Sequence, residues 1–241
     1  MLLQDKSAVI YGAGGTLGER PPVRSPVRVR RCFSPAARWG TSSERLSRSL
    51  HPAVTRRPLS SMLSTQAEAY VADVAKRVGR VDISFDAIGM DDVQGTPLIG
   101  MAVDDFTRPI SNAARTQFVT TKAVAPYMVD QGSGVIMMLT ASPSRIGWSR
   151  VGGVGPACAA LEGLSRQLAA ELGPSGVRVV CLRSAGSPES IPGTMEVHAA
   201  GRKMGRGEFI GYLEETTQLK RLLSGTRSSW IPCSNQAVAV R

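Results

Sequence analysis

A glycine-rich turn near the start of the chain has the spacing best suited to chemistry. It follows Ser7–Tyr11, a short β-branched and aromatic run that predicts a buried first strand. Glycines after such a strand let the backbone turn sharply and approach a pyrophosphate, which then rests at the N-terminus of the next helix. The residues expected to contact a nucleotide here are Gly12, Gly14, Gly15, Thr16, Leu17 and Gly18.

The sequence after this turn does not predict the helix that a phosphate-binding turn requires. Pro21, Pro22 and Pro26 remove backbone donors and clash with the preceding turn, so a helix cannot propagate through them. The turn therefore predicts a phosphate site in which the supporting helix is missing.

The positive charge of the chain is concentrated in two segments. The net charge is +10, of which residues 19–58 contribute +8 and residues 221–241 contribute +3, leaving −1 for the rest. This placement argues against nucleic-acid binding by the domain itself, although the arginines of residues 20–57 could clamp phosphates as an alternative function. The default expectation for such a charged segment is disorder.

Length and residue usage favour one cytoplasmic domain without a bound metal. The 241 residues suffice for a single α/β domain, expected over residues 1–222, followed by an irregular tail at 223–241. No apolar run reaches the length of a membrane span, and Asp5 and Lys6 argue against a signal peptide. The histidines, His51 and His198, are isolated in the sequence, which argues against a metal site. The cysteines show no CxxC pairing and are expected to be free thiols: Cys32, Cys158, Cys181 and Cys233.

From about residue 65 onward, strands and helices alternate. Apolar runs predict strands at 7–11, 81–86, 134–140 and 177–182, and helical spacing predicts helices at 65–79, 104–130, 156–172 and 205–222. Because the strands are largely apolar on both faces, the pattern predicts an α/β fold with a doubly wound parallel sheet.

Four stretches, in order along the chain, resemble the short-chain dehydrogenase/reductase family. Gly12 and Gly18 match the outer glycines of its TGxxxGxG turn, and Asp86-Ala87-Ile88-Gly89 falls at its NNAG. Residues 161–169 resemble the helix after its catalytic motif, and residues 176–180 its GIRVN strand. The resemblance implies a Rossmann-like fold that binds NAD or NADP, a small carbonyl or alcohol substrate, and a homodimer or homotetramer formed through the long helices. It also assigns cofactor contacts to Asp86, Ala87, Ile88, Gly89, Ser184 and Gly186.

The catalytic set of that family is only partly matched. Its members carry Asn, Ser, Tyr and Lys, but Val154 stands at the Tyr position and Cys158 at the Lys position. Ser142 and Asn112 each lie one residue from the expected serine and asparagine, and are the catalytic candidates. The resemblance therefore implies an oxidoreductase by descent with weak or absent turnover. The alternative is a non-catalytic member, a pseudoenzyme that binds nucleotide or serves as a scaffold.

Residues 19–63 resemble a dehydrogenase gene read out of frame. Back-translation of residues 32–40, shifted by one base toward the 5′ side, permits Val-Phe-Leu-Ala-Gly-Arg-Thr-Leu-Gly, a good second strand. The same shift at residues 61–63 permits Val-Asp-Ala, which resembles the end of a third strand. We therefore expect the second and third strands to be disrupted and the last edge strand to be missing.

Overall fold

A five-stranded parallel sheet forms the centre of the molecule, seen in a computed structural model that describes residues 6–11, 28–31, 59–184, 186, 188, 197–199, 202–217 and 220–222. Its strands are Ser7–Tyr11 (β1), Arg28–Arg31 (β2), Ile83–Asp86 (β3), Gly134–Ala141 (β4) and Val177–Ser184 (β5). The spatial order is β2-β1-β3-β4-β5, and every neighbouring pair is parallel. Val197–Ala199 (β6) and Arg202–Met204 (β7) form a separate antiparallel pair.

Helices supply the crossovers that parallel strands require. They are Leu59–Val78 (α1), Val103–Asp130 (α2), Val154–Leu172 (α3) and Arg206–Thr216 (α4). Short 3₁₀ turns lie at Leu98–Gly100, Ser142–Ser144 and Gly173–Ser175. Among these elements α1 packs against α2, and α2 packs against α3.

The main core lies between the sheet and the helices α1 and α2. It is built from fully buried side chains such as Val9, Val71, Val124 and Ile136. Burial alternates along β4: Ile136, Met138 and Thr140 are buried, and the intervening residues are only partly so. One face of this strand is therefore sealed by helices, whereas the other is less completely covered.

A charged clasp joins β1 to β3 where the two strands begin. The Asp82 carboxylate, 5% exposed, accepts hydrogen bonds from the Ser7 backbone N–H (2.9 Å), from Lys6 Nζ (3.2 Å) and from the Arg80 guanidinium (2.6 Å). Burial opposes ionisation of this group, but the bonds from Arg80, Ser7 and Lys6 outweigh it and lower its pKa. The clasp fixes the register of the central strands.

Two glycines allow the turns that precede β4 and β5 to touch. Gly132 and Gly176 both have positive φ angles, of 63° and 78°. A Cβ added at Gly176 would overlap the carbonyl oxygen of Gly132. Glycine is therefore required at position 176 both for its backbone conformation and for this close approach.

The structure confirms the predicted parallel α/β fold and corrects its details in the N-terminal third. The sequence predicts disrupted second and third strands, yet Arg28–Arg31 pairs with β1 as a four-residue strand, because the edge of β1 offers backbone partners whatever the side chains are. The helix α1 begins at Leu59 instead of residue 65, and α4 ends at Thr216 instead of residue 222. The predictions for the rest of residues 19–58 and for the tail 223–241 lie outside the described residues.

Candidate active-site edge

The carboxyl ends of four neighbouring strands meet at one edge of the sheet. Tyr11 and Asp86 are register partners, as are Asp86 and Met138, and Ala141 pairs with Ser184. The Ala87 N–H donates to the Tyr11 carbonyl (3.0 Å), which holds the chain after β3 against the end of β1. In open parallel sheets this edge is where ligands bind. Of the predicted residues, Ser142 and Ser184 lie in contact at this edge, and Asp86 ends β3 level with Met138, three residues before β4 ends.

The predicted phosphate turn would follow directly from this edge. Its residues lie outside the part of the chain that the structure describes: Gly12, Gly14, Gly15, Thr16, Leu17 and Gly18. What the structure does place is Tyr11, the last residue of β1 and the one from which the turn departs.

The segment 86–89 has a buried beginning and an open end. Asp86 is 7% exposed, and its Oδ1 accepts from the Ile88 N–H (2.9 Å). Burial raises the pKa of the Asp86 carboxyl to about 6, and the Ile88 bond offsets only part of that rise. Gly89 is exposed, with nothing within 4 Å of an added Cβ. Among the described residues, none lies over the backbone of Gly89 where an added Cβ would stand.

Ser142 begins the 3₁₀ turn after β4 and makes one long contact, its Oγ lying 3.5 Å from the Ser184 carbonyl oxygen. The well-bonded serine of this turn is Ser144. Its Oγ donates to Glu162 Oε1 (2.6 Å) and accepts from Arg183 Nε (3.0 Å). The turn is therefore tied to α3 and β5 through Ser144, whereas the equally half-buried Ser142 makes only the long contact with Ser184.

Glu162 and Arg183 form an ion pair at this edge that sequence reasoning missed. Arg183 Nη2 donates to Glu162 Oε2 (2.8 Å) and Nε to Oε1 (2.9 Å), and Thr140 lies 3.4 Å from the same carboxylate. Burial disfavours the charge on Glu162, but Ser144 and Arg183 more than compensate, so its pKa is lowered. The available signal was Arg183, a charged residue that directly follows the apolar run of residues 179–182 in β5.

Position 158 is closed to ligands. Cys158 is 0% exposed, and its Sγ accepts a hydrogen bond from the Ala141 N–H (3.4 Å). Burial is the main reason that the pKa of this thiol is raised. One turn earlier on α3, a Cβ at Gly155 would lie 2.9 Å from the Pro143 carbonyl oxygen, so the helix packs closely on the 142–144 turn.

The asparagine candidate, Asn112, lies next to Ala113, the residue that aligns with the family's asparagine. Ala113 is buried in a cluster with Ala157 and Leu161 of α3. Asn112 is half-buried, and its carbonyl accepts a hydrogen bond from Thr116 Oγ1 (2.9 Å). Adjacent helical residues diverge by about 100° around the axis, so Asn112 leaves α2 in a different direction from Ala113.

Ser184 and Gly186 form a turn of their own after β5. The Gly186 N–H donates to Ser184 Oγ (3.0 Å), and Gly186 has a φ of 109°. A serine side chain that accepts from the backbone N–H two residues ahead stabilises such a turn. In the described part of the chain no group of three or more His, Cys, Asp or Glu side chains could hold a metal ion. Nor is any helix there long and apolar enough to cross a bilayer.

Comparison with known proteins identifies the family. A family model described as enoyl-(acyl carrier protein) reductase matches residues 40–226. An uncharacterized oxidoreductase of Mycobacterium tuberculosis is 31% identical over 193 residues, which cover 75% of this chain and 67% of that protein. Levodione reductase of Leifsonia aquatica is 27% identical over 183 residues, covering 73% of this chain and 67% of the relative. The chain belongs to the short-chain dehydrogenase/reductase family.

Solved structures agree with this fold. NAD⁺-bound xylitol dehydrogenase superposes with a TM-score of 0.66 at 17% identity, over 93% of this chain and 89% of the other. A metagenomic short-chain oxidoreductase in complex with NADP gives a TM-score of 0.58 at 20% identity, over 77% and 85% of the two chains. These identities are low, so the likeness concerns the fold alone.

The described residues of this edge can be compared with the family's dinucleotide site at positions 89 and 158. The open backbone at Gly89 has room for a bound ligand. At position 158, where the family has a lysine that holds the nicotinamide ribose, a buried thiol with a raised pKa supplies neither charge nor an accessible donor. Arg183 is the nearby cation, and Glu162 already neutralises it.

Proposed function

We propose that this chain is, by descent, an NAD(P)-dependent oxidoreductase whose own hydride transfer is weak or absent. The reaction of the intact family passes a hydride between the nicotinamide and a small carbonyl or alcohol, while Tyr and Lys manage the proton at the substrate oxygen. The observation that carries the proposal is Cys158, fully buried and bonded to the Ala141 N–H at the lysine position.

The proton-donor position supports the same conclusion. Val154 has no ionisable atom. Ser142 could polarise a carbonyl, but its Oγ contacts the Ser184 carbonyl oxygen and no base among the described residues. A positioned acid or base contributes about 10²–10⁴-fold to a rate, so its absence is enough to lower turnover by that factor.

A second candidate function is nucleotide binding without catalysis, as a sensor or scaffold. The observation that favours it is the contrast along the edge: the backbone around Gly89 is open, whereas the nicotinamide end is closed by Cys158. A homodimer or homotetramer through α2 and α3, a small carbonyl or alcohol as ligand, and a cytoplasmic location remain parts of the proposal that rest on the family.

Restoring the missing pair tests the proposal. We expect the native chain to show no turnover with NADH or NADPH across a panel of ketones, aldehydes and alcohols. The double variant Val154→Tyr with Cys158→Lys should gain about 10²–10⁴-fold in rate over background. The matched control, Val154→Phe with Cys158→Lys, has the same bulk without the phenol and should gain nothing.

Cofactor titration, followed by the fluorescence of the reduced nicotinamide, separates the candidates. Binding without turnover in the native chain and the double variant favours the sensor or scaffold. Absence of binding at millimolar NADH and NADPH removes both functions. Turnover of the native chain equal to that of the double variant contradicts the proposal directly.

A further inference from the structure

The helices α1, α2 and α3 all pack on one face of the central sheet. The strand register places Val9, Ile136 and Val179 on that face, where they share a core cluster with side chains of α1 and α2. Glu162 of α3 bonds Arg183, which points to the same side of β5 as Val179. We call this side of the sheet the helix face.

The opposite face of the sheet is also apolar. Alternation along the strands assigns to it side chains in three register rows: Ala8, Ile83 and Val135; Ile10, Phe85, Met137 and Val180; Leu139 and Leu182. In the described part of the chain none of them belongs to a core cluster with a helix, so we call this the helix-free face. Parallel sheets are covered on both faces, and this face therefore needs a cover.

The helix-free face is shielded from water within the single chain. Leu182 is only 6% exposed, Ala8 is buried too, and the other side chains of the face are half-buried. By contrast, the apolar side chains of Ile99 and Val103 are largely exposed. The shielding indicates that another part of the same chain covers the helix-free face.

The handedness of the crossovers decides which connection covers which face. Crossovers between parallel strands are right-handed, so steps in opposite directions along the sheet lie on opposite faces. The steps from β2 to β3, β3 to β4 and β4 to β5 run in one direction and carry α1, α2 and α3 to the helix face. Among these strands only the step from β1 to β2 runs the other way. Residues 12–27 are therefore expected to cross the helix-free face over β1 and β2, which leaves β4 and β5 without a cover.

The C-terminal segment starts beside the two strands that lack a cover. Leu222 is buried against Phe209 and Leu213, and Leu213 Cδ1 lies 3.5 Å from the place of an added Cβ on Gly186, two residues beyond β5. Residues 223–241 include no acid and no lysine, and they carry the apolar side chains Leu223, Trp230, Ile231, Val238 and Val240. A segment of this length extends to about 60 Å, whereas a strand of eight residues, such as β4, is about 26 Å long. The segment can therefore reach every row of the face.

We propose that residues 223–241 dock on the helix-free face over β4 and β5, with Trp230 and Ile231 packed against the row that contains Met137 and Val180. The segment and the face are both apolar, so burial of the two surfaces against each other stabilises the contact. The docking surface is distinct from the carboxyl edge of the sheet, and the contact holds whether or not a nucleotide binds there.

Limited trypsin digestion of the full-length chain tests the docking, because Arg227 lies within the segment. Cleavage of a docked segment follows the population of its detached form. We expect cleavage after Arg227 to be at least about 10-fold slower in the native chain than in a synthetic peptide of residues 222–236, the loss of even one buried large apolar contact being worth about that factor. This comparison requires no variant to fold.

Two variants locate the contact. Trp230→Ser with Ile231→Ser alters only the segment, and cleavage after Arg227 should rise about 10-fold or more towards the rate of the peptide. Leu139→Ala alters only the face and should raise the same rate. The matched control is Val103→Ala, which truncates an exposed apolar side chain at the start of α2 and should leave the rate unchanged.

A second copy of the chain is the competing occupant of the face. A docked segment is protected to the same extent at every protein concentration, whereas cover by a second copy would protect Arg227 only at concentrations at which the chains associate. Protection that depends on concentration, native cleavage as fast as that of the peptide, or a Leu139→Ala chain cleaved no faster than the Val103→Ala control would each overturn the proposal.

Discussion

Two aspartates that flank the same strand have pKa values shifted in opposite directions, because their neighbours differ. Asp82 lies where two cations and a backbone N–H converge, so the folded protein favours its charge. Asp86, at the other end of β3, has one backbone donor and a shared hydroxyl, so burial dominates. Exposure alone does not distinguish them, since the two are 5% and 7% exposed. The partners of each carboxyl group decide whether its pKa is lowered or raised on folding.

Replacing Asp82 should weaken the fold at neutral pH. Asp82→Asn removes charge-assisted bonds to Ser7, Lys6 and Arg80, and we expect a loss of about 1–3 kcal/mol in the free energy of unfolding, measured by urea denaturation. The pKa of Asp82 is lowered on folding, so its contribution exists above the unfolded pKa and disappears as the pH falls through the folded one. The variant and the native chain should therefore converge in acid.

The exposed pair Asp73–Arg77 on α1 provides the control for that measurement. Its two partners are 45% and 60% exposed, so solvent screens the interaction, and Asp73→Asn should cost less than about 0.5 kcal/mol. Equal losses for the two variants would show that the clasp is no stronger than a surface pair.

At the scale of elements, the contact between the turns that precede β4 and β5 restricts position 176 to glycine. Gly176→Ala places a side chain in a left-handed conformation and against the Gly132 carbonyl, so we expect a loss of roughly 1–3 kcal/mol, read from the thermal midpoint. Gly173→Ala is the matched control, because Gly173 is helical and has nothing within 4 Å of an added Cβ. It should be neutral or stabilising by up to about 1 kcal/mol. A harmless Gly176→Ala would mean that the two turns separate readily.

The elements that sequence predicts well are those with a strong periodic pattern. The helices over 104–130 and 156–172 and the strand at 134–140 agree with α2, α3 and β4 to within a few residues. The strand Arg28–Arg31 escapes prediction because its four residues carry no hydrophobic alternation, and pairing with β1 decides its conformation. Spacing placed Asp86 and Ser142 at the carboxyl edge. It could not reveal that Ser144 and Arg183 share Glu162, since that contact joins residues far apart in the chain.

At the scale of the whole molecule, charge and pattern divide the chain into a family domain and an unusual segment. The family model begins at residue 40, within the arginine-rich stretch, and the regular alternation of elements begins with α1. We propose that the frame slip accounts for the composition of residues 19–63, although the family match and the start of α1 overlap the end of this segment.

The nucleotide sequence of the gene tests this directly. When codons 15–70 are read with the frame shifted by one base toward the 5′ side, the gene should encode a strand ending in Gly-Arg in place of residues 32–40. The normal frame should resume near Ser64. Wobble bases incompatible with Val-Phe-Leu-Ala-Gly-Arg at that place would refute the idea. The same reading would also supply the residue after the second strand, where the family distinguishes NAD from NADP.

The clasp around Asp82 has a consequence for how much the long connection between β1 and β3 can vary. The Ser7–Asp82 bond spans 75 positions of the chain, so folding must close a loop of that size before the central strands pair. The entropy of such a closure depends only on the logarithm of loop length, and halving or doubling it changes the cost by about 0.6 kcal/mol. The central sheet can therefore tolerate large changes of length in residues 12–58, and the register of its strands is set by a few atoms at their starting ends.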